Sequence, residues 1–223
     1  MLSFVLAESA LELVPREVWS YPAVVSDSKR RGLKVGEMLL DRSFHHSAMA
    51  KLKDSEKRGR PDLVHLTLLT VTGAPLYLDG MVKIFVHTYP GVVLEFEEKT
   101  RLPKNYLRFR GLMEEALADR PGGGLIRVKA MGMRELIRRI SADIVIGLSV
   151  QGRMSSFEEL GRRVSTTKAS CIVVGGFPHG HFSPETVESL DELDRVHPRP
   201  LEAHVIASRT IYEIERAPGS INR

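Results

Sequence analysis

The residues best suited to ligand binding are glycines that follow an apolar run near position 175. In the segment VVGGFPHGHFSPET (173–186), the glycine pair 175–176 comes directly after the strand-length run 171–174, and Gly180 follows in the same loop. At the carboxyl end of a buried strand in an open α/β sheet, glycines let a ligand approach the backbone closely. The segment matches neither G-x-x-x-x-G-K-[ST] nor G-x-G-x-x-G, so it predicts no phosphate cradle and no dinucleotide site. Taken alone, it is equally consistent with a structural turn.

Two further segments also place a loop after an apolar run. IGLSVQG (146–152) enters a polar glycine loop, and HPRPLEAHVIA (197–207) is a proline-rich loop that opens the last helix. If the three loops meet at one sheet edge, they form a pocket lined mainly by backbone groups and apolar side chains. Such a pocket suits the adenine and methionine parts of a nucleoside ligand without phosphates.

Other common chemistries lack their sequence signals. The eight histidines include no H-E-x-x-H, the single cysteine has no partner at ligand spacing, and no G-x-S-x-G is present. His45 and His46 are adjacent and would point about 100° apart on a helix, which favours packing or capping over metal binding. Cys171 lies in an apolar run, so we expect a buried thiol rather than a reactive one. We therefore expect no metal, and chemistry that depends on positioning two ligands.

Two basic segments are candidates for nucleic-acid binding. KTRLPKNYLRFR (99–110) holds five basic residues and no acidic one, with Tyr106 and Phe109 available to stack on an unpaired base, although either aromatic residue could belong to the core. In KRGRPDLVH (57–65), Asp62 follows Pro61 at an early helix position, where its carboxylate can accept from free amides or clamp an arginine. Each segment is also consistent with a solvated loop that leads into a helix.

The pattern of elements that must position these residues is α/β. Apolar runs at 2–7, 82–88, 92–96, 144–148 and 171–174 alternate with helical periods at about 106–119, 133–140, 156–164, 184–191 and 201–215. Residues 29–60 predict a helical insertion that ends in a mobile basic loop at 58–60, and Pro-Gly-Gly-Gly at 121–124 predicts a loop. We expect one principal domain over 1–223.

Composition limits the class of protein. The chain has 223 residues, 43% of them hydrophobic and 27% charged, with a net charge of +4 that is only weak support for a nucleic-acid partner. No run approaches the roughly 18 apolar residues of a membrane span. The first residues lack a basic leader and include Glu8 and Glu12, so they do not predict a signal peptide. We expect a soluble, cytoplasmic protein.

A resemblance joins these segments. FVLAESALELVP, LLDRSFHHSAMAKL, KRGRPDLVH, IFVHT, TRLPKNYLRFRGLM, GLSVQG and VVGGFPHG are similar to successive motifs of the nucleolar essential protein family, which comprises SPOUT-class pseudouridine N1-methyltransferases of small-subunit ribosomal RNA. The resemblance covers nearly the whole chain, and RPDLVH and RFRGLM are its most specific parts. It implies a parallel sheet flanked by helices, with a C-terminal trefoil knot in a cofactor-binding part at about 144–216, which is an exception to the rule against knots. It also implies S-adenosylmethionine as cofactor and a homodimer with cofactor pockets near the subunit interface.

The resemblance also assigns roles to residues. The RNA-contacting arginines fall on Arg60, Arg101 and Arg108, while Lys104 stands where arginine is common and keeps the charge without the bidentate fork. Asp62 matches an aspartate that orients the RNA-binding arginine, which supports a positioning role at least as well as a catalytic one. The implied cofactor-binding residues are Leu148, Gly175, Gly180, Val196, His197, Pro198, Arg199, Pro200 and Leu201.

The expected reaction is methylation of N1 of a pseudouridine, the isomer in which that nitrogen carries a hydrogen. Alignment of the reacting atoms and stabilisation of charge on the base would supply most of the catalysis, and Asp62 would hold the base through Arg60. Whether Asp62, a water molecule or a phosphate takes the proton stays open. Two other functions fit the sequence: a non-catalytic RNA-binding assembly factor with this fold, and a SPOUT methyltransferase that acts on transfer RNA.

Overall fold

The computed structural model describes residues 1–118 and 126–217, so the glycine-rich segment at 121–124 lies outside the described residues. The strands are β1 (Leu2–Ser9), β2 (Val82–Thr88), β3 (Val92–Phe96), β4 (Ile126–Ala130), β5 (Ile144–Met154), β6 (Ser170–Gly175) and β7 (Glu192–Arg195). The helices are α1 (Pro22–Arg31), α2 (Arg42–Met49), α3 (Pro61–Thr72), α4 (Pro75–Leu78), α5 (Tyr106–Leu117), α6 (Met133–Ile140), α7 (Phe157–Thr166), α8 (Pro184–Glu188) and α9 (Ala203–Arg216). Within the described ranges, no helix is long and apolar enough to cross a bilayer.

All seven of these strands form one mixed sheet, in the order β4-β3-β2-β1-β6-β5-β7. Five neighbouring strands pair in parallel, namely β2, β1, β6, β5 and β7. Strand β3 runs antiparallel to both β2 and β4. The sheet therefore differs at one edge from the parallel sheet that the resemblance implies. The reason is the connection at 89–91, where Gly91 has a φ of 80°. A turn this short joins antiparallel neighbours, because a parallel connection needs a crossover of a dozen or more residues.

Strand β1 lies at the centre of the sheet and is buried on both faces. Phe4 and Leu6 pack into one hydrophobic cluster, and Val5 and Ala7 pack into another on the opposite face. Alternate side chains point to opposite faces of a strand, so a strand covered on both sides becomes a continuous apolar run. Cys171 on β6 is buried in the second cluster as expected, and burial raises the pKa of its thiol to about 12.

The region expected to be a helical insertion contains α1, α2 and short 3₁₀ turns, and its first helix begins at Pro22 rather than near 29. The segment has a small core of its own, to which Val24, Met38 and Met49 contribute. The expectation of a mobile loop at its end is wrong for Arg58. The Nε and Nη2 atoms of Arg58 each lie 2.7 Å from a carboxylate oxygen of Glu12, and these buried hydrogen bonds hold the end of the insertion against the segment that follows β1.

Candidate functional site

A cavity of about 600 Å³ opens beside the carboxyl ends of β6 and β7 and residues 148–150 in the middle of β5. These three strands run parallel. All three segments singled out in the sequence contribute to the cavity wall, but the expectation of a glycine loop at 146–152 is wrong, because β5 continues through this segment to Met154. Of the cofactor residues implied by the resemblance, those that line the cavity are Leu148, Gly175, Gly180, Val196, His197, Arg199, Pro200 and Leu201. Pro198 belongs to the same loop but is not among the lining residues.

The other lining residues were not named individually from the sequence, but all of them except Arg195 lie in the three segments that were expected to form the pocket. The glycine loop adds Phe177, Pro178, His179, His181 and Phe182, and the start of the last helix adds Glu202, Ala203, Val205 and Ile206, with Ser149, Val150, Val174 and Arg195 completing the wall. A signal for the first group existed, because those residues lie between Gly175 and the helix start at Ser183. The wall at the start of α9 lies within the segment 197–207 that was expected to line a pocket, although its individual residues were not named as ligands.

The glycines of the loop are required by contacts inside the protein. A Cβ atom on Gly176 would lie 2.2 Å from Ser9 Oγ and 2.8 Å from Ser9 Cα. Gly180 has a φ of +99°, and a Cβ atom there would lie 3.0 Å from Cε of Lys57. Side chains at these positions would displace the loop whether or not a ligand is bound. The structure thus adds a packing requirement to the ligand approach that the sequence suggested.

The cavity wall includes several polar residues, which are Ser149, His179, His181, Arg195, His197, Arg199 and Glu202. His197 Nδ1 accepts a hydrogen bond from the backbone N–H of Arg199 at 3.1 Å, which folds the proline loop over the cavity. The remaining lining residues are largely apolar. A cavity of this size and composition fits a nucleoside-sized ligand.

Asp62 forms the arginine clamp that its position suggested. Its two carboxylate oxygens accept from Arg60 Nε at 2.8 Å and from Arg60 Nη2 at 2.9 Å, and the side chains are 37% exposed for Arg60 and 50% for Asp62. Partial burial by itself would raise the pKa of Asp62. The hydrogen bonds from Arg60 and from backbone amides outweigh it, so the pKa of Asp62 lies below its ordinary value. A carboxylate in this state is a weak proton acceptor and a firm anchor for Arg60.

The basic segment at 99–110 presents exposed cations at the start of α5. Arg101, Lys104 and Arg108 are exposed, and the Asn105 side chain caps the helix by accepting from the N–H of Arg108 at 3.2 Å. The expectation that Phe109 could stack on a base is wrong, because Phe109 is fully buried and stacks on His65 at 4.2 Å between ring centroids.

Tyr106, the other aromatic candidate, is also engaged within the protein. Its hydroxyl donates to Asp41 Oδ2 at 2.5 Å. The pKa of the phenol is raised, mainly by burial and secondly by the neighbouring Asp41 carboxylate. The ring thus ties α5 to the start of α2. The exposed part of this surface offers charge rather than an open aromatic platform.

The histidine pair at 45–46 has the packing role that its spacing favoured. His45 is fully buried, and its Nδ1 accepts from the backbone N–H of Asp41 at 3.1 Å, while His46 is exposed. In residues 1–118 and 126–217, no cluster of three or more His, Cys, Asp or Glu side chains could hold a metal ion.

The cavity and the Arg60–Asp62 clamp adjoin through the end of β1. The N–H of Ala10 donates to the carbonyl of Gly176 at 2.8 Å, and the N–H of Arg60 donates to the carbonyl of Ala10 at 3.1 Å. The hydrogen bond with Asp62 raises the pKa of Arg60 most, and the more distant charge of Glu202, on the cavity wall, also raises it. Ala10, directly after β1, therefore contacts both the glycine loop beside the cavity and the Arg60–Asp62 clamp.

Comparison with known proteins places this arrangement in a family. The family model described as EMG1/NEP1 methyltransferase matches residues 4–215. The ribosomal RNA small subunit methyltransferases Nep1 of Staphylothermus marinus and Pyrobaculum neutrophilum are each 41% identical to this chain, over 96% and 97% of it and 95% and 99% of their own lengths. The crystal structure of Archaeoglobus fulgidus Nep1 bound to S-adenosylhomocysteine superimposes with a TM-score of 0.84 at 36% identity, covering 96% of this chain and 97% of that one. These matches confirm the resemblance and the α/β fold of the SPOUT type, and the chain belongs to the EMG1/NEP1 methyltransferase family.

Proposed function

We propose that this protein is an S-adenosylmethionine-dependent methyltransferase of small-subunit ribosomal RNA, and that its target atom is N1 of a pseudouridine. The observation that carries the proposal is the cavity beside the ends of β6 and β7 and the middle of β5, which adjoins the Arg60–Asp62 clamp through Ala10. The relatives named above act on small-subunit ribosomal RNA, and one of them holds S-adenosylhomocysteine.

The cavity fits the proposed cofactor. Its volume of about 600 Å³ and its apolar walls suit an adenosine and a methionine chain, and the glycine loop offers backbone groups to a ligand that has no phosphates. When bound, S-adenosylmethionine supplies a methyl group on a positively charged sulfur. The residues of this chain that would hold it are Leu148, Gly175 and Gly180 together with the loop at 196–201.

The exposed cations would hold the RNA. Arg101, Lys104 and Arg108 lie at one end of α5, where they can contact phosphates, and Arg60 is presented by Asp62 with its guanidinium fixed in orientation. Arginine can contact a phosphate through two parallel hydrogen bonds, whereas Lys104 acts as a point charge. Binding by such contacts is expected to weaken as salt concentration rises.

The proton on N1 must leave during the reaction, and the state of Asp62 bears on where it goes. Both oxygens of Asp62 accept from Arg60, and its pKa is below the ordinary value, so Asp62 is a weaker base than an unpaired carboxylate. We therefore assign Asp62 a positioning role, in which it orients Arg60 beside the target base. Water or a phosphate oxygen is left as the proton acceptor.

We also propose a homodimer with a C-terminal knot, as the resemblance implies, located in the cytoplasm. Leu66 on α3 is 47% exposed and Tyr212 on α9 is 57% exposed, and these two helices pack against each other. Exposed apolar side chains on adjoining helices are suited to a subunit interface. Light scattering coupled to size-exclusion chromatography should give twice the monomer mass, and a monomer at micromolar concentration would contradict this part of the proposal.

Methyl transfer from labelled cofactor tests the function. Purified protein and tritiated S-adenosylmethionine are incubated with small-subunit ribosomal RNA or with transfer RNA, each extracted from cells that lack the enzyme. We expect label in the ribosomal RNA only. Label confined to transfer RNA would identify the alternative target. Tight binding of ribosomal RNA without any label would indicate the non-catalytic assembly factor.

A further inference from the structure

Lys57 joins the helical insertion to the glycine loop of the cavity. Its ammonium donates to Glu8 Oε2 at 2.8 Å and to the backbone carbonyl of His181, and it lies 4.6 Å from the centroid of the Phe177 ring. The side chain is only 15% exposed. A long, flexible cation is thus held by three partners, two of which belong to the loop at 176–183.

Glu8 holds the other end of this contact. One carboxylate oxygen accepts from Lys57, and the other accepts from the backbone N–H of Ser183 at 2.7 Å. Burial would raise the pKa of Glu8, but hydrogen bonds from Lys57 and Ser183 outweigh it and leave the pKa below its ordinary value, so the carboxylate is charged at neutral pH.

The backbone of Glu8 is in a strained conformation. Its φ is +49°, a value that residues other than glycine rarely adopt. The backbone N–H of Glu8 donates to Nδ1 of the buried His87 at 3.3 Å. Such a conformation persists where surrounding contacts over-determine it, and it is concentrated at functional sites. Here it aims the carboxylate at the glycine loop.

Lys57 and Glu8 are also close in sequence to the residues that hold the Arg60–Asp62 clamp. Lys57 precedes Arg60 by three residues, and Glu8 precedes Ala10 by two. Ala10 in turn bonds to both Gly176 and Arg60 through its backbone. A shift of the glycine loop would therefore reach Arg60 by two connected routes, one through side-chain charges and one through backbone hydrogen bonds.

We propose that Lys57 is a positioning residue that couples the cofactor loop at 176–183 to Arg60, so that cofactor binding and RNA binding strengthen each other. This inference rests on the proposed function, because it requires the cavity to bind the cofactor and Arg60 to bind RNA. Coupling between two sites is reciprocal, so it is measurable from either side as the same factor. The glycine loop is the element through which the two sites would act on each other, and Lys57 and Glu8 hold it in the conformation that the structure shows.

The test compares the RNA affinity of each variant with and without saturating S-adenosylhomocysteine. The variant Lys57→Met keeps an unbranched side chain, one atom shorter, and removes its charge and donors. Lys53→Met is the matched control, since Lys53 is an exposed lysine of the same insertion. Glu8→Gln is the second variant, which keeps a polar side chain of the same shape and removes the charge. A fluorescently labelled ribosomal RNA hairpin reports Kd by anisotropy.

We expect S-adenosylhomocysteine to tighten RNA binding by about ten-fold in the wild type and in Lys53→Met. Lys57→Met and Glu8→Gln should reduce this factor to near one, and Lys57→Arg should restore part of it, while all variants keep wild-type far-UV circular dichroism. A variant that fails to fold would bind RNA weakly both with and without S-adenosylhomocysteine, and Lys57→Arg would not be expected to restore the ratio of the two affinities. The ratio, together with circular dichroism, therefore separates a loss of coupling from a loss of folding.

Two results would overturn the inference. One is that the wild type binds S-adenosylhomocysteine and the RNA hairpin, but neither ligand changes the affinity for the other. The other is a Lys57→Met variant, or a Glu8→Gln variant if the first does not fold, with the wild-type ratio. Either result leaves the proposed function intact. A wild type that binds no S-adenosylhomocysteine at all would remove the proposed function together with this inference.

Discussion

Substitution of Arg58 by alanine should destabilise the protein strongly, because it leaves a buried charge without its partner. The Glu12 carboxylate is only 4% exposed and accepts from Arg58 through both oxygens at 2.7 Å, and the Arg58 side chain is 9% exposed. Arg58 also donates to the carbonyl of Lys53 at 3.2 Å and lies 4.6 Å from the centroid of the Tyr89 ring. All of these contacts disappear in Arg58→Ala.

The expected loss is about 3–5 kcal/mol of the free energy of unfolding, the usual cost of removing one partner from a buried ion pair. The double variant Glu12→Leu with Arg58→Met should lose less than Arg58→Ala alone, because it leaves no unpaired charge in the interior. Arg134→Ala is the control. Arg134 forms an ion pair with Glu188 in which the side chains are 57% and 64% exposed, so its removal should cost at most about 1 kcal/mol.

Guanidinium unfolding followed by far-UV circular dichroism at pH 7 measures these differences, with all variants at one protein concentration. If Arg58→Ala were as stable as Arg134→Ala, the Glu12–Arg58 pair would contribute no more than a solvated surface pair. The claim that it anchors the end of the insertion, and with it Arg60, would then fail.

Three further predictions follow from the site and its buried groups. Asp62→Asn should weaken RNA binding and leave the pH dependence of the single-turnover rate at saturating RNA unchanged, whereas intact RNA affinity with a rate restored by alkali would show that Asp62 is the base. Arg101→Ala and Arg108→Ala should each lower the salt dependence of RNA binding by about 0.7–0.9 in log–log slope without changing S-adenosylhomocysteine affinity, and unchanged slopes would make this a solvated surface. Burial lowers the pKa values of His45 and His87 below 6.5, so the stability that depends on their neutral forms is complete above pH 6.5 and decreases as pH falls below it. The free energy of unfolding should therefore drop between pH 7 and 5 by up to about 1.4 kcal/mol per pH unit for each histidine. The drop should be smaller in His87→Asn, and a free energy of unfolding that does not change over this range in the wild type would show that these histidines are not held neutral by burial.

The apolar strands and the amphipathic helices could be predicted because their patterns follow from burial. The predicted bounds of β2, β3 and α6 agree with the structure, and β1 and β6 are each longer than predicted by two residues. Strand β5 was predicted to end at 148 but continues to Met154, through the segment that was expected to be a loop. Strand β7 (Glu192–Arg195) was missed, since its side chains are mostly polar. Its one fully buried residue, Asp194, is a carboxylate held by Arg163 rather than an apolar side chain. Hydrophobic periodicity does not register a strand of this kind.

Residues close in sequence could be assigned to the site, whereas distant pairs could not. The Arg60–Asp62 clamp spans two positions and was expected, but Lys57 pairs with Glu8 over 49 positions and Arg58 with Glu12 over 46. Only the folded chain brings those partners together. The burial of Phe109 was predictable in principle, because it shares a helix face with the equally buried Met113 four residues later.

Methylation of two matched hairpins tests the central claim most directly. The hairpins have the same small-subunit ribosomal RNA sequence and differ only in carrying pseudouridine or uridine at the target position. Each is incubated with the enzyme and S-adenosylmethionine labelled in its methyl group, and the modified nucleoside is identified by mass spectrometry. In uridine the glycosidic bond occupies N1, so we expect one methyl group on N1 of the pseudouridine hairpin and none on the uridine hairpin. Equal methylation of both hairpins, or methylation of the uridine hairpin alone, would contradict it.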